Sequence, residues 1–219
     1  MVVEHRVITM SQSKTFRINP ILLWLCAVML VPGILSGCAT EKRVTRVDTG
    51  VTTDLSGRWN DTDSRQVAEK MIGEMLSQPW LNQFTTHEGR QPVVIVGIVQ
   101  NLSHEHINTQ TFITDLEREM TNSQKVTFVA DKAERQEIRE ERADQATHAR
   151  EDTQKAPGRE IGADYMMQGR ISDIEDEAEG TKAVYYQVDL ELVSLADNTK
   201  SWYGQHKIKK VIERKRTLF

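Results

Sequence analysis

The stretch Val184-Tyr-Tyr-Gln-Val-Asp-Leu-Glu-Leu-Val193 decides the fold class, because apolar and polar side chains alternate along it. A period of two residues predicts a β-strand with one buried face. Further alternation lies on either side, in residues 165–172 and 201–211, with turn-forming residues at Gly180 and Asp197-Asn198. Three sequential strands joined by short turns predict an antiparallel meander.

The residues before the meander show helical spacing instead. Asp63 and Gln66 have capping-box spacing, so a first helix is expected to start near Asp63 and to end at Pro79. Its apolar face consists of Val67, Ala68, Met71, Ile72, Met75 and Leu76. The uninterrupted apolar run 93–99 then predicts a buried central strand.

A second helix and a highly charged third helix are predicted before the meander. The second carries Phe112, Ile113, Leu116 and Met120, and a short strand is expected at 126–129. Asp131 and Glu134 repeat the capping-box spacing and open the charged stretch 132–150, which we expect to be a solvated helix broken at Pro157. Helices early and hairpins late, around one sheet, indicate an α+β fold.

The N-terminus has the pattern of a lipoprotein signal. Basic Lys14 and Arg17 precede an apolar block, 18–31, which is followed by Leu35-Ser-Gly-Cys38. A basic flank, a short apolar block and small residues predict a secretory signal. A cysteine directly after Ser-Gly predicts cleavage between Gly37 and Cys38, with Cys38 lipidated.

Two alternatives concern this signal. An uncleaved anchor is disfavoured, because the apolar block is shorter than the roughly 20 residues that a membrane span needs. Translation is expected to begin at Met10 rather than Met1, since this start leaves a signal of more ordinary length.

The chain is therefore divided into four parts: a signal peptide at 1–37, a lipidated N-terminus with a short flexible tether at 38–53, a globular domain at 54–211 and a basic tail at 212–219. The net charge of −4 argues against nucleic-acid binding. Cys26 leaves with the signal and Cys38 is acylated, so no disulfide is expected.

Few residues suggest chemistry. His104 and His106 could bind zinc or copper, but a third ligand is normally required and HExxH is absent. No GxSxG motif or phosphate-binding loop occurs. These features favour a binding protein without cofactor or metal over an enzyme.

Several longer stretches point to one family. They are residues 54–65, the loop Ser103-His-Glu-His-Ile-Asn-Thr109, Phe128-Val-Ala-Asp131, the charged run 134–145, Gly162-Ala-Asp-Tyr-Met-Met-Gln-Gly169, Tyr186-Gln-Val-Asp-Leu-Glu-Leu192 and residues 202–210. Together they resemble the LpoB family, lipoproteins of the outer membrane that activate penicillin-binding proteins. The resemblance covers about residues 54 to 210.

The resemblance implies a fold like the N-terminal domain of TolB, with a mixed sheet flanked by helices. It implies a periplasm-facing, lipid-anchored protein of the outer membrane, expected to be monomeric. Such a protein binds a bifunctional penicillin-binding protein and promotes peptidoglycan synthesis, and thereby cell-wall assembly and cell shape. The tether is shorter than in enterobacterial members of the family. Its 16 residues reach at most about 55 Å.

The partner-binding candidates are exposed aromatic residues, the loop after the first strand and the charged helix. They are Trp59, His104, His106, Asn108, Arg135, Arg139, Arg142 and Tyr185. Two other functions stay open. One is a structural or assembly lipoprotein of a secretion or flagellar system, and the other is a metal-dependent hydrolase that uses His104 and His106.

Overall fold

The fold is an α+β arrangement built on one mixed sheet. A computed structural model describes residues 43–155 and 157–213, and the described residues from Val47 onward form one unit. The elements in chain order are α1 (Asp61–Ser77), α2 (Pro79–Glu88), β1 (Val93–Asn101), α3 (Thr109–Ser123), β2 (Thr127–Phe128), α4 (Lys132–His148), β3 (Tyr165–Ala178), β4 (Thr181–Ser194) and β5 (Lys200–Glu213). The predicted signal peptide, Met10, Gly37 and Cys38 lie outside the described residues.

The strands lie in the order β2-β1-β3-β4-β5. β1 runs parallel to β2 and to β3, whereas β4 runs antiparallel to β3 and to β5. The β3–β4 ladder continues without a break from Tyr165 opposite Ser194 to Ala178 opposite Thr181. The predicted α+β class, with a mixed sheet and a C-terminal meander flanked by helices, is confirmed.

The core lies between one face of the sheet and the helices α1 and α3. Even-numbered residues of β4 face this core, and Tyr186, Leu190 and Leu192 are fully buried. Phe112 and Leu116 of α3 are equally buried. The alternation that predicted β4 therefore also identifies its buried face. Among the helices of the described residues, none is long and apolar enough to cross a bilayer.

Gly169 allows β3 and β4 to approach closely. A Cβ atom at this position would lie 2.3 Å from the Asp189 carbonyl oxygen and 2.5 Å from Leu190 Cδ2. Backbone cannot yield to such a contact, so a side chain at position 169 would push the two strands apart.

The starts of α1 and α2 correct two expectations. α1 begins at Asp61, because Asn60 is the cap and Asp63 is its reciprocal partner: Asp63 N–H donates to Asn60 Oδ1 at 3.1 Å, and Asn60 N–H donates to Asp63 Oδ2 at 2.9 Å. The predicted pairing of Asp63 with Gln66 is wrong. Pro79 follows the end of α1 and also begins α2, since proline suits the first position of a helix.

α4 and β5 differ from expectation at their ends. The predicted capping box of α4, Asp131 with Glu134, is present, but the helix ends at His148 and not at Pro157. None of its side chains is buried, as its composition suggested. β5 continues to Glu213, so the predicted domain end at 211 falls inside this strand.

Candidate partner-binding surfaces

The eight predicted partner-binding residues lie in three separate places. Trp59, His104, His106 and Asn108 line a cleft near the N-terminal end of the domain. Arg135, Arg139 and Arg142 lie on α4. Tyr185 lies on β4, on the sheet face opposite the core, which we call the open sheet face.

The first place, which we call the N-terminal cleft, has a volume of about 810 Å³. One wall is the segment 55–60, which joins the predicted tether to α1, and another is the loop 104–108 between β1 and α3. Lys182, Val184 and Ile212 of the meander complete it. Sequence-distant elements therefore form this cleft together.

A hydrogen-bond network behind the cleft holds these walls together. The Tyr186 hydroxyl donates to the Glu105 carboxylate at 2.7 Å and also lies 3.1 Å from the Gly57 carbonyl oxygen, while the backbone N–H of Trp59 donates to Glu105 at 3.1 Å. Burial raises the pKa of the Tyr186 phenol, and the Glu105 carboxylate raises it further, so the hydroxyl stays protonated. Tyr186 thus fixes both the loop and the N-terminal segment.

Trp59 is part of this wall and is less exposed than expected. It is half-buried and makes edge-to-face contacts with Phe112, at 6.1 Å between ring centroids, and with Tyr186, at 5.7 Å. Such contacts stabilise an aromatic cluster beyond simple burial. Trp59 therefore anchors the cleft wall to the core while it lines the cleft.

The two histidines of the loop have different surroundings. The backbone N–H of His104 donates to the carboxylate of Asp173, whose side chain is fully buried. The ring Nδ1 of His104 lies 2.7 Å from Asp173 Oδ1. His106 is exposed. Asn108 caps α3 by accepting from the Gln110 N–H. In the part of the chain that the structure describes, no group of three or more His, Cys, Asp or Glu could hold a metal ion.

Lys210 of β5 fixes the N-terminal segment from the other side. Its Nζ donates to Asp63 at 2.6 Å, to Asp54 at 2.8 Å and to the Arg58 carbonyl at 3.1 Å. Burial alone would lower the pKa of Lys210, but its bonds to Asp54 and Asp63 outweigh burial and raise that pKa. Although Lys210 lies in a lysine-rich part of β5, its side chain is only 10% exposed.

The second place is a crevice between α4 and residues 159–161, which we call the arginine crevice. Its volume is about 260 Å³, and it is lined by Arg135, Arg142, Arg159, Glu160, Ile138 and Ile161 together with Val129 and Ala130. Arg139, next to the crevice, donates two hydrogen bonds of 2.8 Å to the Glu160 carboxylate, and Arg142 donates a third at 3.2 Å. The hydrogen bonds from Arg139, and then the charges of Arg142 and Arg135, hold the pKa of Glu160 below its ordinary value.

The third place, the open sheet face, contains a cluster that the sequence did not reveal. Asp189 is only 3% exposed, and its carboxylate accepts from Gln187 at 3.0 Å, from Tyr203 at 2.8 Å and from Gln205 at 2.8 Å. Burial would raise the pKa of Asp189, but these hydrogen bonds keep it below its ordinary value. Tyr185 lies on the same face, between Ile174 and Lys209 of the neighbouring strands.

Comparison with known proteins assigns the domain to a class and then to a family. A family model described as a peptidoglycan-synthase activator matches residues 63–208, which include most of the folded unit. The chain therefore belongs to the LpoB family. Comparison with curated proteins gives no significant match.

Solved structures of this family are among the chains that are similar to it. The LpoB C-terminal domain from Escherichia coli is 17% identical, with 68% of this chain and 99% of that chain covered and a TM-score of 0.39. The domain from Salmonella enterica is 16% identical, with coverages of 69% and 99% and a TM-score of 0.36. The NMR structure of E. coli LpoB is 14% identical, with coverages of 95% and 91% and a TM-score of 0.38.

Proposed function

We propose that this protein is an outer-membrane lipoprotein that binds and allosterically activates a bifunctional class A penicillin-binding protein. The observation that carries the proposal is the match of the peptidoglycan-synthase activator family to residues 63–208. The lipoprotein signal that ends in Leu35-Ser-Gly-Cys38 supports a lipid anchor and a periplasm-facing location. The protein would promote cell-wall synthesis without catalysing a reaction itself.

Activation of this kind needs only a difference in affinity. A protein that binds the active state of a synthase more tightly than the inactive state shifts the synthase toward activity. A tenfold shift in that equilibrium requires a difference of about 1.4 kcal/mol in binding free energy. A few well-placed contacts on a rigid domain can supply such a difference.

The N-terminal cleft and the arginine crevice are the surfaces that best suit this role. Both combine apolar contact area with polar groups held in place by the fold, which is typical of interface centres. The cleft is held by Tyr186, Glu105 and Lys210, and the crevice by the bonds of Arg139 and Arg142 to Glu160.

The test is glycan-strand synthesis by a purified class A penicillin-binding protein from the same organism. Full-length protein purified in detergent is added, and the rate of strand formation and the extent of peptide cross-linking are measured. We expect both to rise. Unchanged rates at saturating concentrations of this protein would overturn the proposal.

The anchor is tested separately in cells. We expect a palmitate analogue to label the wild-type protein but not a Cys38→Ser variant, and the variant to leave the outer-membrane fraction. Equal labelling of both proteins would refute the assignment of Cys38, without touching the result of the synthesis assay.

A further inference from the structure

Helix α4 is a surface helix whose charges separate by face. At 100° per residue, Arg135, Arg139 and Arg142 lie within about 60° of one another, and Glu137, Glu141 and Asp144 lie on the opposite side. The arginine side faces Glu160 and the arginine crevice. The helix has no buried side chain, so its packing contributes little to the core.

Positive charge in the crevice exceeds what the chain itself neutralises. Among the described residues, Glu160 is the one carboxylate that lines it, against three lining arginines and the adjacent Arg139. Arg159 is exposed and makes no ion pair with any residue that the structure describes. Arg135 Nε is, among the described side chains, the buried polar atom that lacks a hydrogen-bond partner. A buried donor without a partner is costly, and a ligand that supplied an acceptor would remove this cost.

The contacts of Glu160 show that these arginines can bind a carboxylate. Its two carboxylate oxygens each receive a 2.8 Å bond from Arg139, the parallel geometry that guanidinium groups form with carboxylates. Ile138 and Ile161, which are 41% and 61% exposed, lie in the same crevice. The site therefore offers guanidinium donors next to apolar surface.

We propose that the arginine crevice binds an acidic side chain, glutamate or aspartate, of the partner protein. The proposal rests on the proposed function, because it takes the synthase as the partner. A crevice of about 260 Å³ is smaller than typical small-molecule pockets, and it suits one anchoring side chain. Its surplus positive charge is complementary to a carboxylate, and the two isoleucines would contact the stem or neighbours of that side chain.

An anionic bilayer is a less suitable occupant. A membrane surface would meet the outer side of α4 as well as the crevice, and that side carries Glu137, Glu141 and Asp144. Like charges would repel it. A single protruding acidic side chain can enter the crevice without this repulsion.

The test compares two single arginine variants and their double variant with one control in full-length protein. Arg159→Gln removes a guanidinium that bonds to nothing else in the described residues, and Arg135→Gln removes the unpartnered donor. Lys155→Gln removes the same charge from an exposed side chain nearby that does not line the crevice. Affinity for the purified class A penicillin-binding protein is measured by biolayer interferometry at several salt concentrations, and circular dichroism checks that each variant folds.

We expect the double variant Arg135→Gln/Arg159→Gln to bind about tenfold or more weakly, since charge-assisted hydrogen bonds are lost. Arg159→Gln alone should weaken binding and reduce its salt dependence, whereas Lys155→Gln should change affinity less than about twofold. The Arg159→Gln result decides the matter if Arg135→Gln disturbs α4.

Other outcomes separate the two proposals. Wild-type binding and activation with no loss in either arginine variant would overturn the crevice assignment and leave the proposed function standing. Absence of wild-type binding would overturn both. Sedimentation with phosphatidylglycerol vesicles is run in parallel, and arginine-dependent vesicle binding with unchanged synthase affinity would show that lipid is the ligand instead.

Discussion

Helices α1 and α4 are equal in length and begin in the same way, but they have opposite relations to the core. Each has 17 residues and a reciprocal capping box, Asn60 with Asp63 and Asp131 with Glu134. α1 buries nine residues, and α4 buries none. Local capping therefore determines where a helix starts, while the apolar face determines whether it joins the core.

The difference suggests a division of labour. α1 stabilises the domain, and its N-terminus is additionally fixed by Lys210 of β5. α4 is held to the rest of the domain by the ion pairs of Arg139 and Arg142 with Glu160, and it contributes no buried side chain to the core. Four experiments would break or sharpen this contrast.

The largest effect should come from removing a core side chain of α1. Met71 is 1% exposed, and Met71→Ala should lower the free energy of unfolding by about 3 kcal/mol because it leaves a cavity. Ile138→Ala in α4 is the matched change, and it should cost less than about 1 kcal/mol because that side chain is 41% exposed. Denaturant unfolding measures both. Similar losses for the two variants would contradict the contrast.

A second effect should follow from breaking the contact between α1 and β5. Lys210→Met leaves the buried carboxylate of Asp63 without its cation, and we expect a loss of about 2 kcal/mol, less than for a fully buried pair because Asp54 is half exposed. Lys209→Met, on the exposed side of the same strand, is the control and should be near neutral. A near-neutral Lys210→Met would show that the pair does not hold α1.

The caps should have smaller and spatially distinct effects. Asn60→Ala and Asp131→Ala each remove one side-chain cap, a change that costs about 1 kcal/mol. Since α1 belongs to the core, Asn60→Ala should lower global stability. Asp131→Ala should instead lower amide-exchange protection only within α4. Exchange mapped by mass spectrometry distinguishes the two, and a global effect of Asp131→Ala would mean that α4 unfolds with the core.

The smallest effect should be a pH dependence confined to α4. Hydrogen bonds from Arg139 lower the pKa of Glu160 below its ordinary 4.5, so the ion pair contributes fully above that pH and is lost as pH falls through the lower value in the folded state. Protection of α4 amides should therefore decrease below pH 4.5, before that of α1. In Glu160→Gln this α4-specific step should be absent, and its persistence would assign it to another carboxylate.

Periodicity was sufficient to predict most of the framework. The alternation around Tyr186 predicted the meander and its buried face, and the spacing of Phe112 with Leu116 predicted α3. These patterns are local, and burial on one face imposes them directly on the sequence. The same reasoning predicted that α4 would bury little, because Ile138 has few apolar companions.

The missed features have two physical causes. α2 is not among the predicted elements, because Pro79 in that prediction indicates only the end of α1; yet proline at the first position and Gly89 just after the end are joint signals of a short helix. The cleft network was missed because its partners are far apart in sequence: Tyr186 meets Glu105 across 81 positions, and Lys210 meets Asp63 across 147. Single-sequence patterns carry no information on such pairs.

The fixing of the N-terminal segment has a mechanical consequence. If the protein hangs from a lipid at Cys38, any tension in the tether reaches the domain first at Asp54, where Lys210 holds it, and then at Gly57 and Trp59. These contacts are made by residues of β5, β4 and the loop after β1, so the force is divided among three elements before it reaches the strand ladders. Tension in the tether would therefore deform the wall of the cleft before it separates the strands of the sheet. The affinity of the cleft for a partner would then depend on the distance between the lipid anchor and that partner.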